Sequence, residues 1–184
     1  MDHPAEHSWV RQAQAGDRQA FAALVAEHWP RVFRWLHGLC HDTHAAEDLT
    51  QEVFLKAWSA LGTFQGDSGF RAWLFRIAHN AWIDSRRGPR GETRQALPES
   101  LSHPGPGPVT AVLTREGQTL VQEACARLPD LFRAPFLLRT QENLPFRAIA
   151  QVLGITEVTV RWRVFKARNL LVRELKHYLD EKLL

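Results

Sequence analysis

Residues 145–168 read Pro145-Phe-Arg-Ala-Ile-Ala-Gln-Val-Leu-Gly-Ile-Thr-Glu-Val-Thr-Val-Arg-Trp-Arg-Val-Phe-Lys-Ala-Arg168. The stretch has the grammar of two helices joined by a tight turn. Ala150 is small where two helices must cross closely, and Gly154, four residues on, permits a left-handed turn. Ile149, Leu153, Ile155, Val160 and Val164 supply a shared apolar core. Thr156 stands where a side-chain oxygen can cap the second helix. That helix carries Arg161, Arg163, Lys166, Arg168 and Arg173, with no acid between Val158 and Arg173. A positive helix N-terminus followed by dense Lys and Arg suits phosphate contact and entry into the major groove.

The rest of the C-terminal part is helical as well. Val112–Leu128 forms one helix, ended by Pro129. Leu131–Glu142 forms a second, in which Pro135 is a local obstacle. Pro145–Leu153 is the third, with Pro145 at its first position, where no amide hydrogen is needed. The fourth runs from Thr156 toward Leu184.

Upstream, residues 88–108 hold five of the ten prolines and four of the eleven glycines, closing on Pro104-Gly-Pro-Gly-Pro108. This composition excludes helix interior and central strand and predicts an extended, flexible linker. Charge divides at the same place. Residues 1–87 carry nine Lys and Arg against ten Asp and Glu, residues 88–112 two of each, and residues 113–184 twelve against eight. Six of the seven tryptophans precede residue 88. The reading is therefore all-α: two small helical domains of different chemistry on a Pro/Gly-rich linker, the second with a helix-turn-helix.

The first domain shows apolar residues at three- and four-residue spacing. Phe21, Leu24, Val25, His28, Val32, Trp35, Leu36 and Leu39 mark one helix, which Pro30 should kink or break. Ala45–Leu61 is a second, with an apolar stripe of Ala45, Leu49, Val53 and Ala57 flanked by Ala46, Phe54, Trp58 and Leu61. Beside it Asp48, Gln51, Glu52 and Lys56 form a polar stripe. A glycine-punctuated loop follows, then a third helix over Phe70–Arg86 with Phe70, Trp73, Leu74, Ile77, Ala78, Ala81 and Trp82 as its core face. Arg71, Phe75, Arg76, His79 and Asn80 fall off that face. An off-core Phe among arginines suits stacking on unpaired bases.

Composition narrows the function classes. Apolar residues make up 45% and charged residues 23% of the 184, which is ordinary globular usage. No run of apolar residues is long enough to span a bilayer. Met1–Arg11 has neither a basic nor an apolar segment of the kind a leader needs. The two cysteines, Cys40 and Cys125, form no framework, which fits a reducing cytoplasm. No Gly-rich phosphate loop, His-Glu-x-x-His or nucleophile elbow is present, so an enzyme is not expected. In the segment His37–His44, which also holds Cys40, His37, His41 and His44 would share one face of a continuous helix, but Gly38 and Asp42-Thr43 suggest that the helix ends there, which favours a polar loop over a metal site.

The order of these motifs resembles the extracytoplasmic-function sigma factors of bacterial RNA polymerase: AEDLTQEVFLKAW, then FRAWLFRIAHNAWIDSRR, a short linker, and LPDLFRAPFLLRTQENLPFRAIAQVLGITEVTVRWRVFKAR. The likeness covers about residues 20–87 and 120–175. It implies that residues 1–87 are sigma region 2, 88–111 a linker and 112–184 sigma region 4. Asp48, Gln51 and Glu52 would dock on the clamp helices of the largest polymerase subunit. Phe64, Arg71, Phe75, Arg76, His79 and Asn80 would hold the −10 element and a flipped-out base. Glu157, Thr159, Arg161, Trp162, Arg163, Lys166 and Arg168 would meet the −35 element, and the same domain would touch the flap of the other large subunit. The resemblance further implies an anti-sigma factor as partner, no cofactor and a cytoplasmic location. Trp162 replaces a small polar residue usual in the family, Pro145-Phe146 replaces Ser-Tyr or Ser-His, and Gln141 replaces a frequent acid. Trp162 lies about 200° around the helix from Val160 and is expected to be exposed toward DNA or a partner. The alternative reading is a stand-alone helix-turn-helix regulator whose first domain binds a ligand or a second copy.

Overall fold

The computed structural model describes residues 5–66, 69–87 and 115–182. The linker expected at 88–111 lies outside them, as do Asp67 and Ser68. All regular structure in the described residues is helical: α1 (Glu6–Gln14), α2 (Arg18–Cys40), α3 (Thr43–Ala60), a 3-10 turn (Leu61–Thr63), α4 (Phe70–Arg87), α5 (Arg115–Ala126), α6 (Asp130–Thr140), α7 (Phe146–Leu153) and α8 (Glu157–Lys182). Two compact units result, one containing α1–α4 and one containing α5, α6 and α8.

In the first unit the helix starts are fixed by side-chain caps. Asp17 accepts from the amides of Gln19 and Ala20, and Asp42 from that of Ala45, so each satisfies donors that the first turn leaves open. Helix α2 ends at Cys40 because His41 takes a left-handed conformation with φ of 56°. This agrees with a turn at His41 rather than a continuous helix. Pro30 does not break α2, which runs unbroken for 23 residues. The proline forfeits one backbone hydrogen bond, but Leu24 and His28 on one side of it and Val32, Trp35, Leu36 and Leu39 on the other all lie in the interior. Burial of both halves outweighs a local penalty of about 3 kcal/mol. Pro135 likewise sits inside a continuous α6.

Helix α1 is not marked by the apolar periodicity of the sequence. Its buried residues are Glu6, Val10 and Ala13, only one of them a large apolar side chain. The Glu6 carboxylate and the His28 imidazole of α2 are both buried, with Oε2 and Nε2 3.0 Å apart. Burial pushes the Glu6 pKa up, but the His28 contact and the charge of Arg71 outweigh it, and the net direction is down. Gln14 at the end of α1 donates to the carbonyls of Leu61 and Phe64, at 3.0 and 2.8 Å, and so ties α1 to the loop that precedes α4.

In the second unit α5, α6 and α8 enclose Ala124, Leu128, Phe132, Ala167 and Leu171. Arg127 pairs with Glu174 at 2.5 Å, linking the end of α5 to α8. Neither Cys40 nor Cys125 is in a disulfide, and burial pushes the Cys125 thiol pKa up.

Candidate functional site

The turn between α7 and α8 has the expected construction. Gly154 has φ of 66°, and the amide of Ile155 bonds back to the carbonyl of Ala150 at 3.1 Å, the closure typical of a glycine-ended helix. Thr156 Oγ1 accepts from the amide of Thr159 at 3.2 Å and lies 2.7 Å from its hydroxyl. Ile149, Val160 and Val164 are buried. Leu153 and Ile155 are only half-buried, and the neighbouring Val152 is the buried residue.

On α8, Arg161 and Lys166 are exposed, while Glu157, Thr159, Arg163 and Arg168 are half-exposed. The Arg161 guanidinium donates through Nε and Nη2 to Glu157 Oε1, at 3.1 and 2.6 Å. Burial lowers the Arg163 pKa without a carboxylate to offset it. The exposure expected of Trp162 is corrected: its indole is half-buried against the Ala124–Leu171 cluster, 5.7 Å from the Phe132 ring in an edge contact. Phe132 of α6 stands against the flank of α8 that carries Trp162, and an indole is long enough to meet it.

In the first unit α4 is packed on both α2 and α3, so most of its circumference is interior. Phe70, Ala72, Trp73, Leu74, Phe75, Ala78, Ala81 and Trp82 are all buried. This corrects the role expected of Phe75. It is 0% exposed and meets Trp35 edge-on at 5.6 Å, so it has no free face for a base. A single-face reading of the helix wheel fails because α4 has two neighbours. Arg76 and Asn80, one turn apart, are exposed on the remaining edge. His79 is half-buried beside Trp35 and Trp82. Arg71 is half-buried near Glu6, with its Nε buried and without a hydrogen-bond partner. Phe64 is half-buried at the loop, its ring 5.2 Å from that of Trp73 and 5.8 Å from that of Phe70. Gly69, at the end of that loop, has φ of 69° and precedes α4 directly.

Helix α3 presents Asp48 and Gln51 to solvent. Glu52 is half-exposed and pairs with Lys56 at 2.6 Å. Between them stands Leu55, 70% exposed. Leu55 was not singled out from the sequence, although its place one turn after Gln51 and off the apolar stripe puts it on the polar face. Trp58, assigned to the apolar side, is 37% exposed and leans on Phe21 at 4.8 Å. Among the described residues no three His, Cys, Asp or Glu side chains converge as metal ligands, and no helix is long and apolar enough to cross a membrane.

One unit thus offers an α3 face with Asp48, Gln51 and Leu55 exposed and an α4 edge with Arg76 and Asn80 exposed. The other carries a basic helix-turn-helix. This pairing defines a two-domain transcription factor of the sigma type. Residues 24–91 match the family model of sigma-70 region 2, and residues 118–171 that of sigma-70 region 4. The chain is 33% identical over 182 residues to the RNA polymerase sigma-H factor of Pseudomonas aeruginosa, covering 94% of each. It is 31% identical over 170 residues to the ECF RNA polymerase sigma-E factor of Escherichia coli, covering 87% of this chain and 88% of that one. The solved structure of CnrH in complex with the cytosolic domain of CnrY superimposes with a TM-score of 0.71 at 26% identity, covering 94% of this chain and 98% of that one. The chain belongs to the extracytoplasmic-function sigma factors of bacterial RNA polymerase. The first unit is therefore not the ligand or dimerisation domain of a stand-alone regulator.

Proposed function

We propose that this sigma factor works as a binding factor without catalysis, and that its tasks divide at residues 1–87, 88–111 and 112–184. It directs RNA polymerase to promoters; the following assignments go further. The α3 face of Asp48, Gln51, Glu52 and Leu55 docks on the clamp helices of the largest subunit. Phe64, Arg76 and Asn80 receive the displaced strand of the −10 element, with His79 and Arg71 supporting them from half-buried positions. Glu157, Thr159, Arg161 and Arg163 face the bases of the −35 element, while Lys166 and Arg168 grip phosphates. The unit of α5, α6 and α8 also meets the flap of the other large subunit.

The observation that carries this reading is the α3 face. An exposed leucine flanked by carboxylates and an amide serves no DNA contact, but it suits a protein surface of opposite charge. Asp48→Ala with Glu52→Lys tests it. The variant is expected to keep wild-type helicity and to lose affinity for core polymerase, at about 1–3 kcal/mol for each charge-assisted contact removed. Wild-type affinity in the variant would refute the assignment.

An anti-sigma factor that covers these faces is also part of the proposal. The likeness to CnrH, which was solved in complex with the cytosolic domain of CnrY, supports a protein partner of this kind. Cross-linking in unstressed source cells is expected to recover an inhibitor. Recovery of polymerase subunits alone would point to control by synthesis.

A further inference from the structure

Phe146 opens α7, and its half-buried ring carries two cations. The Arg139 guanidinium carbon lies 5.0 Å from the ring centroid and that of Arg161 4.6 Å, both inside the range of cation–π attraction. Arg139 is itself anchored, donating through Nη1 to the carbonyl of Leu144 at 3.0 Å. Two guanidinium groups over one ring repel each other, and the Glu157 carboxylate, bonded to Arg161 through Nε and Nη2, offsets that repulsion.

The arrangement has a consequence for Arg161. An exposed arginine in the first turns of a helix ordinarily samples many rotamers, and ordering it costs entropy. Here a ring contact and two hydrogen bonds already hold it. The ring takes no place among the hydrogen-bond partners of the guanidinium, whose bonds go to Glu157. Glu157 takes Nε–H and one hydrogen of Nη2, so both hydrogens of Nη1 and the second of Nη2 remain. That pair of nitrogens matches the O6 and N7 acceptors of guanine in the major groove.

We propose that Phe146 is a positioning residue for −35 recognition: its ring holds Arg161, between Arg139 and Glu157, in the orientation that reads a guanine. This rests on the reading of α8 as the −35 helix. Leucine at position 146 would keep apolar volume for packing but offer no π face to Arg161, whereas tyrosine would keep the ring.

The experiment selects −35 sequences from promoters randomised in that element, using holoenzyme assembled from core polymerase and the full chain. It compares wild type, Arg161→Ala, Phe146→Leu, Phe146→Tyr and the double variant Phe146→Leu with Arg161→Ala. Thermal unfolding of each variant checks the fold. Arg161→Ala is expected to relax one guanine position by about five- to hundredfold. Phe146→Leu is expected to relax the same position by about two- to fivefold and no other. Phe146→Tyr is expected to retain wild-type discrimination, and the double variant to lose no more than Arg161→Ala alone. If Arg161→Ala relaxes the position while Phe146→Leu leaves it unchanged, or weakens every sequence equally, the positioning role is wrong and the reading of α8 stands. If Arg161→Ala leaves the selected motif unchanged, Arg161 is not a reader and both fall.

Discussion

Trp162 serves the second unit as packing. Its edge contact with Phe132 covers a small cluster that has few large residues to lose. Trp162→Ala is expected to destabilise the chain by about 1–3 kcal/mol, less than the full loss for a completely buried Trp, and to leave the selected −35 motif unchanged. A changed motif at unchanged thermal midpoint would restore the indole to the DNA face. Asn80, by contrast, is exposed, and its amide offers a donor and an acceptor to an extruded base edge. Asn80→Ala is expected to reduce permanganate-reactive open complexes more than it reduces duplex binding. Equal loss in both would mark a structural role. Lys166→Ala is expected to weaken all promoters alike and to lower the salt slope by about one unit. Phe75 and Trp162 show where reading a residue from sequence stops. Periodicity gives the angle at which a side chain leaves its helix, but not how many neighbours the helix has or how far they reach.

At the scale of elements, the turn between α7 and α8 was the most legible feature. Gly154 and Thr156 act as their residue types predict, because each satisfies or terminates backbone bonds locally. Pro30 and Pro135 were misjudged for the opposite reason, since the gain that keeps their helices whole is tertiary. Helix α1 was missed because its buried stripe is short and opens on a polar residue, Glu6 before Val10 and Ala13, with Glu6 meeting His28 of α2. That attachment has a pH signature. The Glu6 pKa is lowered in the folded chain, so its contribution is fully present above the ordinary carboxylate range and is lost as pH falls through the lowered value. Amide protection factors across α1, corrected for the intrinsic pH dependence of exchange, are expected to fall on acidification through that window, and Glu6→Gln is expected to remove this pH dependence while lowering the protection of α1 at neutral pH. An acid response of α1 that persists in Glu6→Gln would assign it to another group.

Over the whole molecule, the order of motifs carried more than any one of them. The polar stripe of α3 alone reads as a solvated helix face, and the helix-turn-helix alone as any DNA binder. Together on one chain, with a region 2 and a region 4 match on either side of residues 92–117, they read as the two regions of one sigma factor that directs RNA polymerase to promoters. Transcription in vitro from a pool of promoters, using purified core enzyme with and without the full chain, tests this most directly. The account predicts initiation at a defined subset of promoters only when the chain is added, and loss of that initiation with Asp48→Ala plus Glu52→Lys while Arg161→Ala shifts which promoters are used. Tight, sequence-specific binding of the chain to duplex DNA without core enzyme, and no change in initiation when it is added, would contradict it.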